Sequence, residues 1–267
     1  MNNEKMITKE QMKKIQIDIL DDVAKFCEEN NIKYWIDAGT LLGAIRHKGY
    51  IPWDDDIDLG MLREEYDKFI KLYNLKNSKY KLKCIELDKT YEYPYGKVID
   101  TDTILYEPDE KGIKIAVNID VFVYDNAPDD VHELNRMYNK RDKYERLRLY
   151  QKFVPSSDCS IKRIIKKIIK CILNFFPKDY FIMKIVKNSK KYCKTQCSNI
   201  GNFTSTSRIS CSKSIFDEYI EVEFEGKKYK APKGYNEWLT IIYGNYMELP
   251  PVEKRISPHS FIAYYKK

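Results

Sequence analysis

The stretch Trp35-Ile-Asp-Ala-Gly-Thr-Leu-Leu-Gly-Ala-Ile-Arg-His-Lys-Gly-Tyr-Ile-Pro-Trp-Asp-Asp-Asp-Ile-Asp-Leu59 sets a Gly-Thr turn and a short helical pattern directly ahead of alternating acids. On an extended strand, side chains two apart share a face, so Asp54, Asp56 and Asp58 point one way while Ile57 and Leu59 point into a core. Carboxylates crowded on one face repel each other and need a cation. A solvated acidic turn, which Pro52 would favour, requires neither the alternation from Asp56 to Leu59 nor the helix before it.

The elements around this stretch can be read from periodicity. Thr8 with Gln11 forms a capping box, and Met12, Ile15, Ile19, Val23 and Phe26 recur at helical spacing, which predicts an amphipathic helix over 8–29. A strand over 32–38, a helix over 41–47 stopped by Gly49, and a helix over 64–75 follow. Residues 81–86, 95–99 and 115–123 read as strands, the last placing Asp120 between apolar neighbours. A charged helix over 129–151 is broken by Pro155-Ser-Ser-Asp158. A hairpin turns at Glu225-Gly226, joining 219–224 to 227–229, and a short helix surrounds Trp238. The fold class is therefore α+β: a small mixed sheet flanked by helices, in one domain over 1–267. Its core spans 8–150 and 199–267, with a helical insertion at about 155–198.

From Ser160 to Lys178 the chain contains no acid, while Lys162, Arg163, Lys166, Lys167 and Lys170 alternate with isoleucines. Such a helix either rests on an anionic bilayer or packs its apolar stripe on the core and leaves its lysines solvated. At 267 residues, 43% hydrophobic, with a formal charge of +7, the chain is an ordinary globular protein suited to anionic partners. The basic residues cluster with isoleucine rather than with stacking aromatics, which argues against nucleic acid. Met1 to Asp18 lacks the apolar core of a signal peptide and no long apolar run follows, so the expected location is cytoplasmic, peripheral on the inner face of the cell membrane. Cys27 and Cys84 read as buried, reduced thiols. Cys193, Cys197 and Cys211, with Cys159, have spacing too loose to specify a zinc site.

Asp56 and Asp58, with Asp120 from a neighbouring strand, form an oxygen cage suited to one or two Mg2+ ions, with Mn2+ as a substitute. Gly39 and Thr40 at a helix start offer N–H groups and a hydroxyl to a phosphate. The segment from Asp37 to Arg63, with Lys97-x-x-Asp100-x-x-Thr103, Ile119-Asp-Val-Phe122, Ala231-Pro, Tyr243-Gly-Asn-Tyr-Met-Glu-Leu-Pro-Pro251 and His259, resembles the LicD family, within the nucleotidyltransferase-like fold and related to the fukutin-related enzymes. The resemblance covers most of the chain outside about 130–198.

That resemblance implies transfer of a phospho-alcohol, typically phosphocholine from CDP-choline, to a hydroxyl of a cell-surface glycan or teichoic acid precursor, free or lipid-linked, with release of CMP. Asp54, Asp56, Asp58 and Asp120 are the expected catalytic residues, and the last three the metal ligands. Asp54 is either the general base, an outer support of the metal or a ligand of a second metal ion. Gly39, Thr40, Arg46, His47, Lys97, Arg255 and His259 are the expected substrate contacts, and Tyr50, Trp53, Tyr93 and Tyr95 are near enough in sequence to hold a quaternary ammonium. Two alternatives remain open: a nucleotidyltransferase passing a nucleoside monophosphate to a hydroxyl, and a non-catalytic membrane-bound scaffold.

Overall fold

The computed structural model describes residues 5–76, 78–107, 113–152, 161–257 and 260–266. Their strands and seven α-helices make a mixed α+β protein of two compact units. The first unit runs to Lys83 and includes Gly96–Tyr124 and everything from Cys211; the second holds Cys84–Tyr95 and Asp125–Ser210.

In the first unit, strand β1 (Met6–Ile7) precedes helix α1 (Lys9–Glu29). The capping box forms as spaced: the Gln11 N–H donates to Thr8 Oγ1 at 3.2 Å and the Thr8 N–H to Gln11 Oε1 at 3.0 Å. Met12, Ile15, Ile19, Val23 and Phe26 are all buried, as their periodicity requires. Then come β2 (Trp35–Ile36), α2 (Ala38–His47), β3 (Asp58–Leu62), α3 (Arg63–Leu72), β4 (Tyr80–Lys83), β5 (Gly96–Asp100), β6 (Thr103–Glu107), β7 (Ile113–Ile115) and β8 (Asn118–Ala127). Within this unit the central sheet has the order β2-β3-β8-β5-β4, with β3 and β8 parallel and the other neighbours antiparallel.

The chain enters the second unit along β8, whose last residues, Asp125 to Ala127, pair with β9 (Asn199–Gly201). Between them lie α4 (Val131–Lys152), α5 (Ile161–Leu173) and α6 (Tyr180–Ser189). Tyr138 and Phe203 pack with ring centroids 4.8 Å apart, and buried Arg141 donates to the carbonyls of Thr206 and Ser207, both at 3.1 Å. Arg148 ties in the short Cys84–Tyr95 segment by donating to the Glu92 carbonyl at 2.9 Å.

After β10 (Ser210–Ser212), the first unit resumes with the β11 (Tyr219–Phe224) and β12 (Lys227–Pro232) hairpin, α7 (Tyr235–Tyr243) and β13 (Ile262–Tyr265). β13 lies between β1 and β6 in a second antiparallel sheet that ends at β7. Glu225 and Gly226 both have positive φ, 51° and 74°, the conformation a tight two-residue hairpin turn needs. This turn clamps the loop after α2: the Glu225 N–H donates to the Lys48 carbonyl at 2.9 Å, and Glu225 Oε1 accepts the Tyr50 N–H at 3.0 Å. A Cβ on Gly49 would stand 2.2 Å from that same oxygen, so the helix ends on a left-handed Lys48 and Gly49 admits the clamp.

Some sequence expectations change: the strand over 115–123, for one, divides into β7 and β8 on two different sheets. The first strand shrinks from 32–38 to Trp35–Ile36, and α2 begins three residues early, at Ala38. The acidic run is not one strand: pairing begins only at Asp58, because Pro52-Trp53 turns the chain and the Asp54 N–H closes back onto the Ile51 carbonyl at 2.8 Å. Asp54 and Asp56 therefore lie on the approach to β3, and the shared-face argument applies only from Asp58 onward. The Pro155–Asp158 break, Cys159 and His259 lie outside the described residues. Cys27, Cys84 and Cys211 are buried, and burial pushes the Cys84 and Cys211 thiols up to about 12. No described helix is long and apolar enough to cross a membrane.

Candidate active site

Sheet register brings the acids of β3 and β8 together. Asp58 lies opposite Asp120 on the parallel pair, and Lys97 of β5 lies opposite Asp120 on its other side. Lys97 Nζ donates to Asp120 Oδ1 at 2.6 Å and to Asn118 Oδ1 at 3.1 Å, with its side chain 7% exposed. Lys97 is thus a buried counter-ion within the acid row.

The helix that precedes β3 holds Asp58 in place. The Asp58 N–H donates to Thr40 Oγ1 at 2.8 Å and its carbonyl accepts the Asp37 N–H at 2.9 Å. Thr40 Oγ1 thereby tethers α2 to β3. Asp37 is fully buried, and its carboxylate accepts from the Tyr124 hydroxyl at 2.6 Å and the Trp238 indole N–H at 2.8 Å. Tyr124, Trp238, Trp35 and Phe216 pack around this carboxylate, with centroids 4.4 to 6.2 Å apart among the pairs they make. Gly60 of β3 makes room for Trp35, since a Cβ there would stand 2.3 Å from the indole. At the helix start Ala38 takes φ 43°, a left-handed conformation that costs an alanine roughly 1 kcal/mol. The buried Asp37 anchor immediately before it holds that conformation in place.

On the approach to β3, Asp54, Asp55 and Asp56 have carboxylate oxygens within 4.8 Å of one another, a grouping that Asp58 and Asp120 do not join at that distance. Asp55 had no part in the sequence reading, because strand alternation turned it away from its neighbours; off the strand, that rule lapses. Its carboxylate accepts from the Ser257 hydroxyl at 2.5 Å and its carbonyl from Gln16 Nε2 at 2.9 Å. Asp54 lies over the first turn of α2, where a Cβ on Gly39 would come to 2.7 Å of Asp54 Oδ2.

Burial first, then the charges of Asp56, Asp120, Asp37 and Asp54, raise the Asp58 carboxyl well above the usual carboxylate range. Burial followed by the fields of Asp58, Asp37, Asp54 and Asp56 likewise raises Tyr243, the last residue of α7. These residues belong to one electrostatic unit with an excess of negative charge. Its donors are all hard oxygens, the set that Mg2+ prefers, so the residues fit a divalent cation.

A cationic cluster forms in the same unit. The Arg255 guanidinium lies 5.7 Å from the Trp53 ring centroid, and His47 meets Trp53 edge-on at 6.4 Å. Arg46 donates Nε–H to His47 Nε2 at 2.9 Å, which fixes the imidazole's proton on Nδ1. Burial and the Arg46 charge both lower the His47 pKa. Arg46 also donates to the carbonyls of Tyr246 at 2.7 Å and Glu248 at 3.3 Å, so it braces the 243–251 segment against α2. Of the aromatics, Tyr50 is buried with its hydroxyl donating to Gln16 Oε1 at 2.9 Å, and Tyr93 and Tyr95 fall in the second unit.

Residues 31–145 match a family model described as the LicD/FKTN/FKRP nucleotidyltransferase domain. Over 270 residues the chain is 33% identical to the lipopolysaccharide cholinephosphotransferase LicD of Haemophilus influenzae, covering 97% of this chain and 99% of that protein. The chain belongs to the LicD family. An uncharacterised Rickettsia typhi protein is 29% identical over 175 residues, 65% of this chain and 52% of its own length. A 38-residue stretch, 14% of this chain and 8% of the relative, is 50% identical to the human ribitol 5-phosphate transferase FKRP.

In this LicD-family chain, Gly39→Ala tests whether the acids act at the start of α2. Alanine is the better helix former by up to about 1 kcal/mol, so thermal stability should hold or rise. The new methyl must displace Asp54, and transfer activity should fall by about 10²-fold. A fully active Gly39→Ala protein would show that the Asp54 position is immaterial.

Proposed function

We propose that this protein transfers a phospho-alcohol, phosphocholine in the first instance, from a CDP-alcohol to a hydroxyl of a cell-surface glycan, releasing CMP. The reading is carried by the near full-length likeness to a cholinephosphotransferase, in a chain whose Asp58 and Asp120 stand in register on adjacent parallel strands. The core is read as nucleotidyltransferase-like, with the paired acids following a Gly-Thr helix start.

Asp56, Asp58 and Asp120 would hold Mg2+, with Asp54 and Asp55 close by. Bound there, the ion would neutralise charge on the diphosphate and on the departing CMP. The protein's own groups do the rest. Lys97 limits the charge on Asp120, and the Asp37 anchor and Thr40 tether keep β3 and α2 in fixed relation. Arg255 and His47, backed by Trp53, supply positive charge and an Nδ1–H to the donor's phosphates. Asp54 takes the proton of the acceptor hydroxyl as its oxygen bonds to the phosphorus that carries the alcohol. The bond from that phosphorus to the bridging oxygen breaks, and its electron pair leaves on CMP.

CMP release, followed with CDP-choline, CDP-ribitol and CDP-glycerol in the presence of lipopolysaccharide lacking phosphocholine, tests this reading. One donor should yield CMP and modified glycan in equal amounts, with choline favoured. Asp54→Asn should lower kcat by about 10²- to 10⁴-fold and flatten the acid limb of the pH profile. No CMP from any of the three donors would overturn the assignment.

A further inference from the structure

Helix α5 wears its apolar face outward. Ile164, Ile165, Ile168 and Ile172 are 48%, 51%, 56% and 57% exposed, and Phe175, just beyond the helix, is 86% exposed. At 3.6 residues per turn the four isoleucines fall within an arc of about 100°. The opposite side meets the protein: Leu173 is buried, and Gln151 of α4 donates to the carbonyls of Leu173 at 3.1 Å and Phe176 at 3.0 Å. The arrangement inverts the usual one, in which the apolar stripe of an amphipathic helix covers the core. Lys166 and Lys170, half-buried, lie on the packed side, while Lys167 and Lys178 are exposed.

We propose that this face of α5 with Phe175 is a docking surface for an anionic lipid bilayer. Two observations select that occupant. Ser160 to Lys178 carries six basic residues and no acid, and Lys167 and Lys178 among them are exposed, which matches a negatively charged headgroup layer. A second copy using the same patch across a two-fold axis would oppose basic surface to basic surface, so self-association is disfavoured. On a bilayer the isoleucines and Phe175 enter the boundary between headgroups and acyl chains, and Lys167 and Lys178 stay among the phosphates. This surface stands apart from the phosphotransfer reading and does not depend on it.

The test is co-sedimentation of the full chain with vesicles of phosphatidylcholine alone and of equal parts phosphatidylcholine and phosphatidylglycerol. The chain should pellet with the anionic vesicles, weakly with the neutral ones, and less as salt is raised. Ile168→Glu with Ile172→Glu, at positions already in solvent, should keep the wild-type Tm and lower the partition coefficient at least about tenfold. Lys167→Glu should lower it by a smaller factor. Wild-type protein that stays in the supernatant, or a double variant that pellets as well as wild type, overturns the proposal. So does light scattering in which the double variant turns a wild-type dimer into monomers with vesicle binding unchanged, since the occupant would then be a second copy.

Discussion

Asp58→Asn is expected to abolish transfer, by at least about 10³-fold, while making the metal-free protein more stable at neutral pH. The two effects share a cause. Burial and the neighbouring acids raise the Asp58 carboxyl in the folded protein, whereas in the unfolded chain it titrates near an ordinary aspartate, about 4. A group whose folded pKa is raised contributes no penalty below its unfolded pKa, where both states hold the proton. It destabilises increasingly as pH climbs from there through the folded pKa. The stability advantage of Asp58→Asn should therefore be absent near pH 4 and grow towards neutrality. Mg2+ should raise the wild-type Tm, more at higher pH because the ion competes with the Asp58 proton, and should leave Asp58→Asn unmoved. Differential scanning calorimetry of both proteins across pH, with and without Mg2+, reads every part of this. Equal Mg2+ shifts in the two proteins would remove Asp58 from the metal site.

Trp238→Ala should be the most damaging single change away from the acids. Trp238 is fully buried among Tyr124 and Phe216 and donates its indole N–H to Asp37. Truncation opens a large cavity, costing about 3–5 kcal/mol, and Tm should fall by roughly 10 °C. Trp238→Phe keeps much of the ring and loses only the N–H, so it separates packing from the hydrogen bond. It should cost about 1–3 kcal/mol and lower activity beyond its effect on stability, because Asp37 then holds Ala38 and the amide partner of Asp58 less firmly. Wild-type activity in Trp238→Phe at a temperature where it is fully folded would show that the Asp37 anchor does not position the site.

Much of the first unit was legible because its signals are local. The Thr8–Gln11 capping box, the α1 stripe and the Glu225-Gly226 hairpin depend on neighbours a few residues apart, and each forms. The juxtaposition of Asp58 with Asp120 was also readable, since each sits among apolar residues of strand type. What stayed hidden depends on distance in sequence or on a broken assumption. Nothing near Trp238 indicates a partner at Asp37, 201 residues away. The same holds for Arg46 and the 243–251 segment, where the motif was visible and its strut was not. Asp55 was lost to an alternation rule that fails before Asp58, where the chain is not yet a strand. The helix over Ile161–Leu173 has two readings from sequence alone, because periodicity does not encode which way an apolar stripe faces, and its isoleucines face outward.

The most direct measurement follows the two phosphorus atoms of the donor. CDP-choline labelled at the phosphorus next to choline, and separately at the phosphorus next to cytidine, is incubated with the protein, Mg2+ and lipopolysaccharide lacking phosphocholine. The expected result is label in the glycan from the first donor only, with the second label recovered in CMP. Label in the glycan from the phosphorus next to cytidine would mean that a nucleotide is transferred, and would contradict the phosphotransferase assignment.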